Sequence, residues 1–571
     1  VVFPPEAEVH GFENKWLYLS EARATREVPA SYIVALKAGA RPRSLNTTTP
    51  APAPPFPPCP GLPRAPMEVW DSFSIPSALS VAYALLASTC TLLLLRWLEA
   101  DRWARVWWAT RAIPSAPGNL PLFGHALTLA RGCSWGQMYD WVSAAMPVVR
   151  FRVGTRTGVI VADPAAFKRI VQTRQRIYAK DTDFSYREFL PILGTGLVTS
   201  NGDHWQRQRL LMAPAFRIDM LDTILPIAAR AVERLATKLR KHKGTGQPVD
   251  MEEEFRLLTL QVIGEAILSL PPEECDRVFP PLYLSVMEES NKRVLQPWRL
   301  LWPPLVRRYD ANIRALNAYL GGVIERRREA RAAARAAGGA PPDVDILDRV
   351  LAALEARGRP WTRASATQLC YELKTFLLAG HETSAAMLCW TLYELSLQPG
   401  LYGEARREAR EALPARAAPP ARAAVEGMTL TLAALKESLR KYSVVPVLTR
   451  NLVAPDTLCG HDLPAGSWIV LHVQRVHHLY KDPLAWKPAR FMPGGEYEQF
   501  DEDIRPYMFM PFIQGPRNCL GQFFALLEAR VILGALCREF NFRPVHPEHQ
   551  GVTHPTVIPV GPVNGMRMYV D

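Results

Sequence analysis

The strongest constraint on this chain is a short loop near its C-terminal end, PFIQGPRNCLG, which runs from Pro511 to Gly521. Two glycines and two prolines restrict its backbone, and it leads directly into an apolar helical pattern, QFFALLEARVILGALCREF. Cys519 therefore stands on a stiff backbone just before a helix N-terminus, where the helix dipole favours a thiolate. Most single cysteines are inert buried thiols, but an inert thiol does not need so restricted a backbone.

The neighbours of Cys519 indicate what the sulfur binds. Gly515 and Gly521 allow the backbone to approach a large flat group, and Arg517 offers a fixed cation for an anionic one. Haem meets this description, because it is a flat macrocycle with two propionates whose iron accepts a Cys thiolate. The pattern Phe-x-x-Gly-x-Arg-x-Cys-x-Gly spans Phe512 to Gly521, and its chance occurrence in such a chain is on the order of one in ten thousand.

This loop resembles the haem-binding signature of the cytochrome P450 monooxygenases of the membrane-anchored eukaryotic type. The resemblance implies that Cys519 is the axial metal ligand of a haem b, and that Phe512 and Arg517 belong to the cofactor site. It also implies the fold of that family, which is mainly α with a small β portion.

The body of the chain agrees with that fold class. Helical patterns dominate from residue 126 onward. Short strand patterns appear at 148–154, 158–162 and 468–473, and the tail at 554–570 is typical of a terminal hairpin.

A second motif interrupts the apolar helix FLLAGHETSAAMLCWTLYEL at 376–395. Polar residues in mid-helix can make a contact between helices, and a Thr hydroxyl can bond to a carbonyl one turn earlier. The segment AGHET is similar to the family's oxygen-activation motif, which implies that Thr383 orients a proton chain and that Glu382 supplies or relays the proton. In family members that esterify their haem a Glu stands at the position of Ala379, so a covalent ester is not expected here.

A third motif lies in KESLRKYSVVPVLTR at 436–450. Glu437 and Arg440 are three residues apart on a predicted helix and can pair, which by itself is typical of a surface salt bridge. Together with Arg490 in WKPARF they resemble the Glu–Arg–Arg triad that locks the loops behind the haem. The implied role is structural.

Two further matches fall on the cofactor pocket. WQRQR resembles a family helix in which Trp205 and Arg209 face a propionate, and Arg450 stands where the family often uses another propionate-binding Arg. The motifs occur in the family's order, over a predicted haem-thiolate catalytic domain at 112–571.

The segment before this domain predicts a membrane anchor. Residues 75–95 carry no charge, and as a helix they would span roughly 31 Å, about the thickness of a bilayer core. A buried core helix is the alternative. Arginines follow the run, so the positive-inside rule predicts a single-pass protein whose catalytic domain is cytoplasmic, with 67–111 as anchor and flank. The endoplasmic reticulum is the default membrane and a plastid envelope is the alternative.

Residues 1–66 have a different character. They begin with Val and become proline-rich at TTTPAPAPPFPPCPGLPRAP, which predicts a disordered leader. Met67 is the first methionine, so we expect it to be the native start and the leader to come from an over-extended gene model. A genuine leader or targeting segment is the alternative.

Composition excludes some partners. The net charge of +12 is spread without Lys/Arg blocks that alternate with aromatics, so nucleic acid is not an expected partner. Nine cysteines without a CxxC pair indicate a reducing compartment. No flavin or dinucleotide motif appears, so a membrane-bound NADPH-dependent reductase is the expected electron donor. Arg207 is a candidate docking contact or a plain surface charge.

The implied reaction is the insertion of one oxygen atom from O₂ into a hydrophobic substrate. A haem-thiolate isomerase or dehydratase and a non-catalytic haem-binding protein are the alternatives, and the intact Glu382–Thr383 pair argues against the first.

By family analogy, largely apolar segments line the substrate pocket: 184–193, Phe376–Ala379, Val444–Leu448 and Val557–Val560. A fatty-acid, terpenoid or carotenoid-like substrate is expected. Arg187 is a candidate for binding a carboxylate, or an exposed helix charge.

Overall fold

A computed structural model describes residues 83, 85–91, 103–131, 134–341, 343–358, 360–414, 418–554 and 559–571. Contacts divide the chain into Val1–Tyr83 and Ala84–Asp571, and Tyr83 is the one described residue of the first unit. The predicted leader at 1–66 and most of the predicted anchor lie outside the described residues. Residues 85–91 are helical and exposed. Within the described ranges no helix is both long and apolar enough to cross a bilayer.

Helices make up most of the described chain, as the sequence predicts. They are α1 (Ala126–Arg131), α2 (Ser134–Trp141), α3 (Pro164–Lys168), α4 (Leu190–Leu193), α5 (Gly202–Met212), α6 (Ile218–His242), α7 (Met251–Leu268), α8 (Pro272–Phe279), α9 (Ser285–Leu295), α10 (Pro303–Ala336), α11 (Ile346–Glu355), α12 (Arg363–Ser396), α13 (Pro399–Ala412), α14 (Arg422–Glu426), α15 (Thr429–Tyr442), α16 (Val473–His477), α17 (Arg505–Met508), α18 (Gln522–Glu539) and α19 (Pro547–Gln550).

The strands form three small sheets. They are β1 (Val148–Val153), β2 (Arg156–Val161), β3 (Tyr178–Ala179), β4 (Val249–Asp250), β5 (Val447–Leu452), β6 (Asp456–Leu458), β7 (His461–Leu463), β8 (Trp468–His472), β9 (Phe542–Pro544) and β10 (Arg567–Val570). The largest sheet has the order β1-β2-β8-β5-β3, and only the β2–β8 pair is parallel. The remaining sheets are β4-β10-β9 and β6-β7.

The predicted strands are all members of the largest sheet, where the paired residues Val149, Ile160 and Val470 are completely buried or nearly so. The predicted terminal hairpin has a different arrangement. The tail does fold back on itself, because the His554 N–H donates to Gly561 O at 2.7 Å beside an antiparallel bridge between Thr553 and Pro562, but the strand at its end, β10, pairs with β9 and β4. Pairing partners so distant in sequence are chosen by packing, which no local pattern reveals.

Helix α12 runs through the main core and places the AGHET segment there. The Thr362 side chain caps its N-terminus by accepting from the Ser365 N–H. It packs closely on α7 because Gly380 has no side chain: a Cβ there would lie 2.6 Å from Cδ1 of Ile263. This close approach brings the polar residues that follow Gly380 against the N-terminal half of α7.

Candidate active site

The loop that carries Cys519 is closed by its own backbone. The Cys519 N–H donates to the Phe512 carbonyl oxygen at 2.8 Å, and the Asn518 N–H donates to that of Gly515 at 3.1 Å. Helix α18 begins at Gln522, directly after the loop. The thiol is therefore held by main-chain hydrogen bonds next to the N-terminus of a largely buried helix.

Gly515 fixes where this loop lies. Its φ is +75°, and a Cβ on it would overlap the carbonyl oxygen of Val171, which belongs to the π-helical turn Arg169–Thr173. The loop and the turn are thus in backbone contact. Ile513 also has a positive φ, of 60°, which is unusual for a β-branched residue.

The Cys519 thiol does not have the lowered pKa that a helix N-terminus alone would give it. Burial raises its pKa, while the N–H of Gly521 and the Arg209 guanidinium act in the opposite direction. Burial disfavours the thiolate because charge is poorly solvated there. A metal ion deprotonates a coordinating thiol outright, so this sulfur is suited to be a ligand and not a free nucleophile.

The two predicted site residues on α5, Trp205 and Arg209, make different contacts. Arg209 donates to the Asn518 carbonyl oxygen at 2.6 Å and also to the Asn518 side chain, so it braces the cysteine loop. Trp205 is buried, and the Arg517 guanidinium lies 4.1 Å from the centre of its ring. The predicted contact of both α5 residues with a propionate stays a prediction, and Arg209 lies beside the cysteine loop while Trp205 lies beside Arg517.

Three cations lie together in this region with neutral acceptors. Arg517 donates to Ser200 O at 3.1 Å, Arg450 to Thr449 O at 2.7 Å and Lys180 to the Tyr186 hydroxyl at 3.3 Å. Among the described residues no carboxylate pairs with any of the three cations.

The charges of these groups influence one another. Burial, Arg450 and Arg517 lower the pKa of Lys180 well below its usual value. Burial, Arg450 and then Arg209 lower the pKa of Arg517 to about 10, although Tyr186 opposes them.

Sequence reasoning found Arg450 and Arg517 but missed Lys180 and Tyr186. Nothing in their local sequence marks them, because Lys180 simply follows the two-residue strand β3.

On helix α12, the Thr383 hydroxyl donates to the Ala379 carbonyl oxygen at 2.6 Å, which is the hydrogen bond the sequence predicts. The helix continues through this point without interruption. Glu382 is mostly buried, and its Oε1 lies 3.9 Å from the Arg256 guanidinium of α7. Burial raises the pKa of Glu382 and Arg256 lowers it. Its Oε2 is buried without a hydrogen-bond partner among the described residues.

The Glu437, Arg440 and Arg490 side chains form one buried ion cluster. Arg440 Nε donates to Glu437 Oε2 at 2.8 Å, and Arg490 Nε donates to Glu437 Oε1 at 3.2 Å. Arg440 also donates to the carbonyl oxygens of His477 and Ala485. Because all three side chains are at most 4% exposed, this cluster is not a surface salt bridge.

Two residues with weaker sequence arguments lie at the surface. Arg207 on α5 is exposed. The Arg187 side chain is 70% exposed and lies 3.9 Å from the Glu188 carboxylate. Both positions agree with plain surface charge as well as with the roles considered for them.

The donor set fits haem b. Three cations that have only neutral acceptors call for an anionic partner, and the two propionates of haem supply it. Arg209 influences both Cys519 and Arg517, so the cations and the thiol belong to one site. Ala379 has no carboxyl group with which to esterify the cofactor. The fold and this site define a haem-thiolate protein.

Comparisons with known proteins agree. The family model described as Cytochrome P450 matches residues 114–562. The chain is 28% identical to "Cytochrome P450 4c21" of Blattella germanica over 76% of this chain and 88% of that one. It is 29% identical to "Carotene epsilon-monooxygenase, chloroplastic" of Arabidopsis thaliana over 78% and 83% of the two chains.

A solved structure shows the same fold. The haem domain of cytochrome P450DA matches with a TM-score of 0.69 at 22% identity, and the match covers 80% of this chain and 97% of that one. The chain belongs to the cytochrome P450 family. It is an oxidoreductase of the haem monooxygenase type, and its cofactor is non-covalently bound haem b.

Proposed function

We propose that this protein inserts one oxygen atom from O₂ into a hydrophobic substrate of the fatty-acid, terpenoid or carotenoid type. Electrons come from a membrane-bound NADPH-dependent reductase. Bound haem b would supply the redox chemistry, and electron density from the Cys519 thiolate would favour cleavage of the O–O bond. Phe512, Arg517, Arg450, Trp205 and Arg209 hold the cofactor and its loop.

The observation that carries the proposal is the acid–alcohol pair in the interior of α12. The Thr383 hydroxyl donates to Ala379 O, so its oxygen can still accept a hydrogen bond from a water molecule. Glu382 has one unpaired carboxylate oxygen and a pKa raised by burial, so it can hold and release a proton. Cleaving O₂ consumes protons, whereas rearranging a peroxide does not. The pair therefore favours a monooxygenase over an isomerase or dehydratase.

The substrate class is supported by apolar side chains on the segments that line the family's pocket. Ile192 and Val444 are buried, and Phe376 packs on Phe216 with ring centres 5.0 Å apart. The Val560 N–H donates to Val444 O at 2.9 Å, so the tail is held beside this region. The name of the Arabidopsis carotene monooxygenase makes a carotenoid or terpenoid a suitable first candidate.

We further propose a single-pass anchor at 67–111 and a cytoplasmic catalytic domain at 112–571, in the endoplasmic reticulum or a plastid envelope. The apolar side chains of Tyr83, Leu85 and Leu86 are all at least 60% exposed, which suits contact with lipid. Extraction of native membranes with alkaline carbonate tests this, because release of the protein into the soluble fraction would contradict an anchor.

The first experiment is a spectral titration of the full chain in lipid nanodiscs. Long-chain fatty acids, terpenoids and carotenoids are added in turn while the Soret band is followed. We expect one class to shift the ferric iron from low to high spin in a saturable manner. A haem spectrum that none of these compounds shifts contradicts the proposed substrate class but leaves the cofactor assignment in place.

Turnover of the compound that shifts the Soret band then distinguishes a monooxygenase from an isomerase or dehydratase and from a non-catalytic protein. With NADPH, a reductase and O₂ we expect one oxygenated product. Thr383→Ala is expected to lower the product formed per NADPH. The matched control is Thr391→Ala, because Thr391 makes the same bond to a carbonyl one turn earlier, at 2.7 Å, two turns further along α12. Conversion of a lipid hydroperoxide without reductase would instead support the isomerase or dehydratase, and haem binding without any turnover a non-catalytic protein.

A further inference from the structure

A buried histidine lies between the ion cluster and the cysteine loop. His477, at the end of α16, is completely buried, and its Nε2 lies 2.9 Å from the Met510 backbone nitrogen. A backbone N–H can only donate, so Nε2 is the acceptor and the ring proton is on Nδ1. Nδ1 lies 2.7 Å from the Ser443 hydroxyl oxygen and therefore donates to it.

The other side of this histidine is joined to α15 at two points. The Ser443 hydroxyl donates to the Arg440 carbonyl oxygen at 3.3 Å. The Arg440 guanidinium donates to the His477 carbonyl oxygen at 3.2 Å. Both connections lead to Arg440, which belongs to the ion cluster with Glu437. His477 is thus joined to the ion cluster through both its ring and its carbonyl oxygen.

On the loop side, Met510 directly precedes the cysteine loop that begins at Pro511. Its carbonyl oxygen accepts from the Ile513 N–H at 3.1 Å. Ile513 is held in the left-handed region, which a β-branched residue disfavours, so the loop needs support from outside itself. Phe512, the next residue back, accepts the hydrogen bond from the Cys519 N–H.

We propose that neutral His477 is a positioning residue that couples the Glu437–Arg440–Arg490 cluster to the Cys519 loop through the Met510 N–H. The connection runs from Arg440 through Ser443 and His477 to Met510. It rests on the assignment of Cys519 as haem ligand and does not depend on the identity of the substrate.

The protonation state of the ring supports this role. Burial, His478 and Arg440 all lower the pKa of His477 well below its usual value, so the ring stays neutral at physiological pH. Only a neutral ring can accept from Met510 while it donates to Ser443. The ring also packs on Phe509, with ring centres 5.4 Å apart.

Hydrogen exchange of the haem-loaded full chain, followed by mass spectrometry, tests the coupling. His477→Phe keeps an aromatic ring beside Phe509 but leaves the Met510 N–H unpaired. We expect peptides covering 510–519 to exchange about tenfold faster, as for the loss of one buried hydrogen bond. His477→Gln presents an acceptor near the position of Nε2 and is expected to stay close to the wild type.

The matched control is His125→Phe. His125 is also completely buried and its Nδ1 also accepts a backbone N–H, that of Arg152 at 3.0 Å, but among the described residues its ring hydrogen-bonds only to Arg152 and to Ala116 O, and not to the cysteine loop or to α16. It should leave exchange at 510–519 unchanged. Unchanged exchange in His477→Phe, equal changes in both Phe variants, or a Gln variant as labile as the Phe variant would each overturn the proposal.

A milder variant covers the case in which His477→Phe does not fold. Ser443→Ala removes the acceptor of the Nδ1 proton and should accelerate exchange of the same 510–519 peptides. It should also shift part of the reduced, carbon monoxide-treated protein from thiolate to thiol ligation, as seen in the Soret band. A Ser443→Ala protein that matches the wild type in both measurements refutes the coupling. A wild type that binds no haem would instead refute the assignment of Cys519 as haem ligand.

Discussion

At the scale of single residues, the carboxyl group of Glu382 is under two opposing influences. Burial disfavours its charge, and Arg256 at 3.9 Å favours it. Glu252, one turn before Arg256 on α7, has its pKa raised to about 7, first by burial and then by Asp250. Burial thus raises the pKa of Glu382 in the proposed proton relay and of Glu252 nearby, and Arg256 lowers the pKa of both.

Replacing Arg256 by Gln removes the charge that opposes burial, so we expect the pKa of Glu382 to rise further. Infrared spectroscopy of the haem-loaded protein can follow the protonated carboxyl band that is absent in Glu382→Gln. In Arg256→Gln this band should persist to higher pH than in the wild type. Arg277→Gln is the control, because the Arg277 side chain is 73% exposed and pairs with Glu274 on α8. A band unaffected by Arg256→Gln would show that the arginine does not control this carboxyl group.

At the scale of elements, the cysteine loop is held against the π-helical turn Arg169–Thr173 by backbone contact at one glycine. Gly515 has both a positive φ and a neighbouring carbonyl oxygen where a Cβ would have to lie. Gly494 has the same φ of +75° but nothing within 4 Å of the Cβ position. The two glycines therefore separate the cost of a left-handed backbone from the cost of lost contact between elements.

We expect Gly494→Ala to lower the free energy of unfolding by about 1 kcal/mol, the usual cost of a Cβ in the left-handed region. Gly515→Ala should cost clearly more, because the loop and the turn must also move apart, and it should weaken retention of the haem. Urea unfolding and the rate of haem transfer to apomyoglobin measure the two effects. Equal unfolding midpoints for the two variants would contradict the contact between loop and turn.

At the scale of the whole molecule, buried histidines on different elements make stability depend on pH. His381 and His472 are completely buried, and burial is the main cause that lowers their pKa, to about 3 and about 4. Since an unfolded histidine titrates near pH 6.5, the unfolded state binds protons first as the pH falls, and stability is lost between about pH 6.5 and 4. Glu252 and Glu372 have pKa values raised to about 7, so they act in the opposite direction.

A comparison between variants isolates one histidine from these opposing groups. Between pH 7.5 and 5.5 the wild type should lose about 1 kcal/mol more stability than His472→Phe, which has no imidazole to titrate there. Urea unfolding of both proteins at the two pH values gives this difference. An identical loss in both proteins would mean that His472 takes up its proton in the folded state as readily as in the unfolded one.

The sequence by itself determined the class of fold, the place of Cys519 on a restricted loop, and the hydrogen bond from the Thr383 hydroxyl to Ala379 O. The constraint is local in each case: prolines and glycines restrict the Cys519 loop within eleven residues, and Thr383 reaches a carbonyl one turn back on its own helix. The pairing of Glu437 with Arg440 is likewise a matter of helical spacing. Such features follow from backbone geometry whatever surrounds them.

Only the tertiary structure decided which distant groups meet. Lys180 joins Arg450 and Arg517 although more than 260 residues separate it from either, and no periodicity marks it. Arg209 reaches the Asn518 carbonyl oxygen, and His477 reaches the Met510 N–H, because packing places α5 and α16 beside the cysteine loop. Burial then sets the pKa values of these groups, since the cost of desolvating a charge depends on everything packed around it and not on the neighbouring residues in the chain.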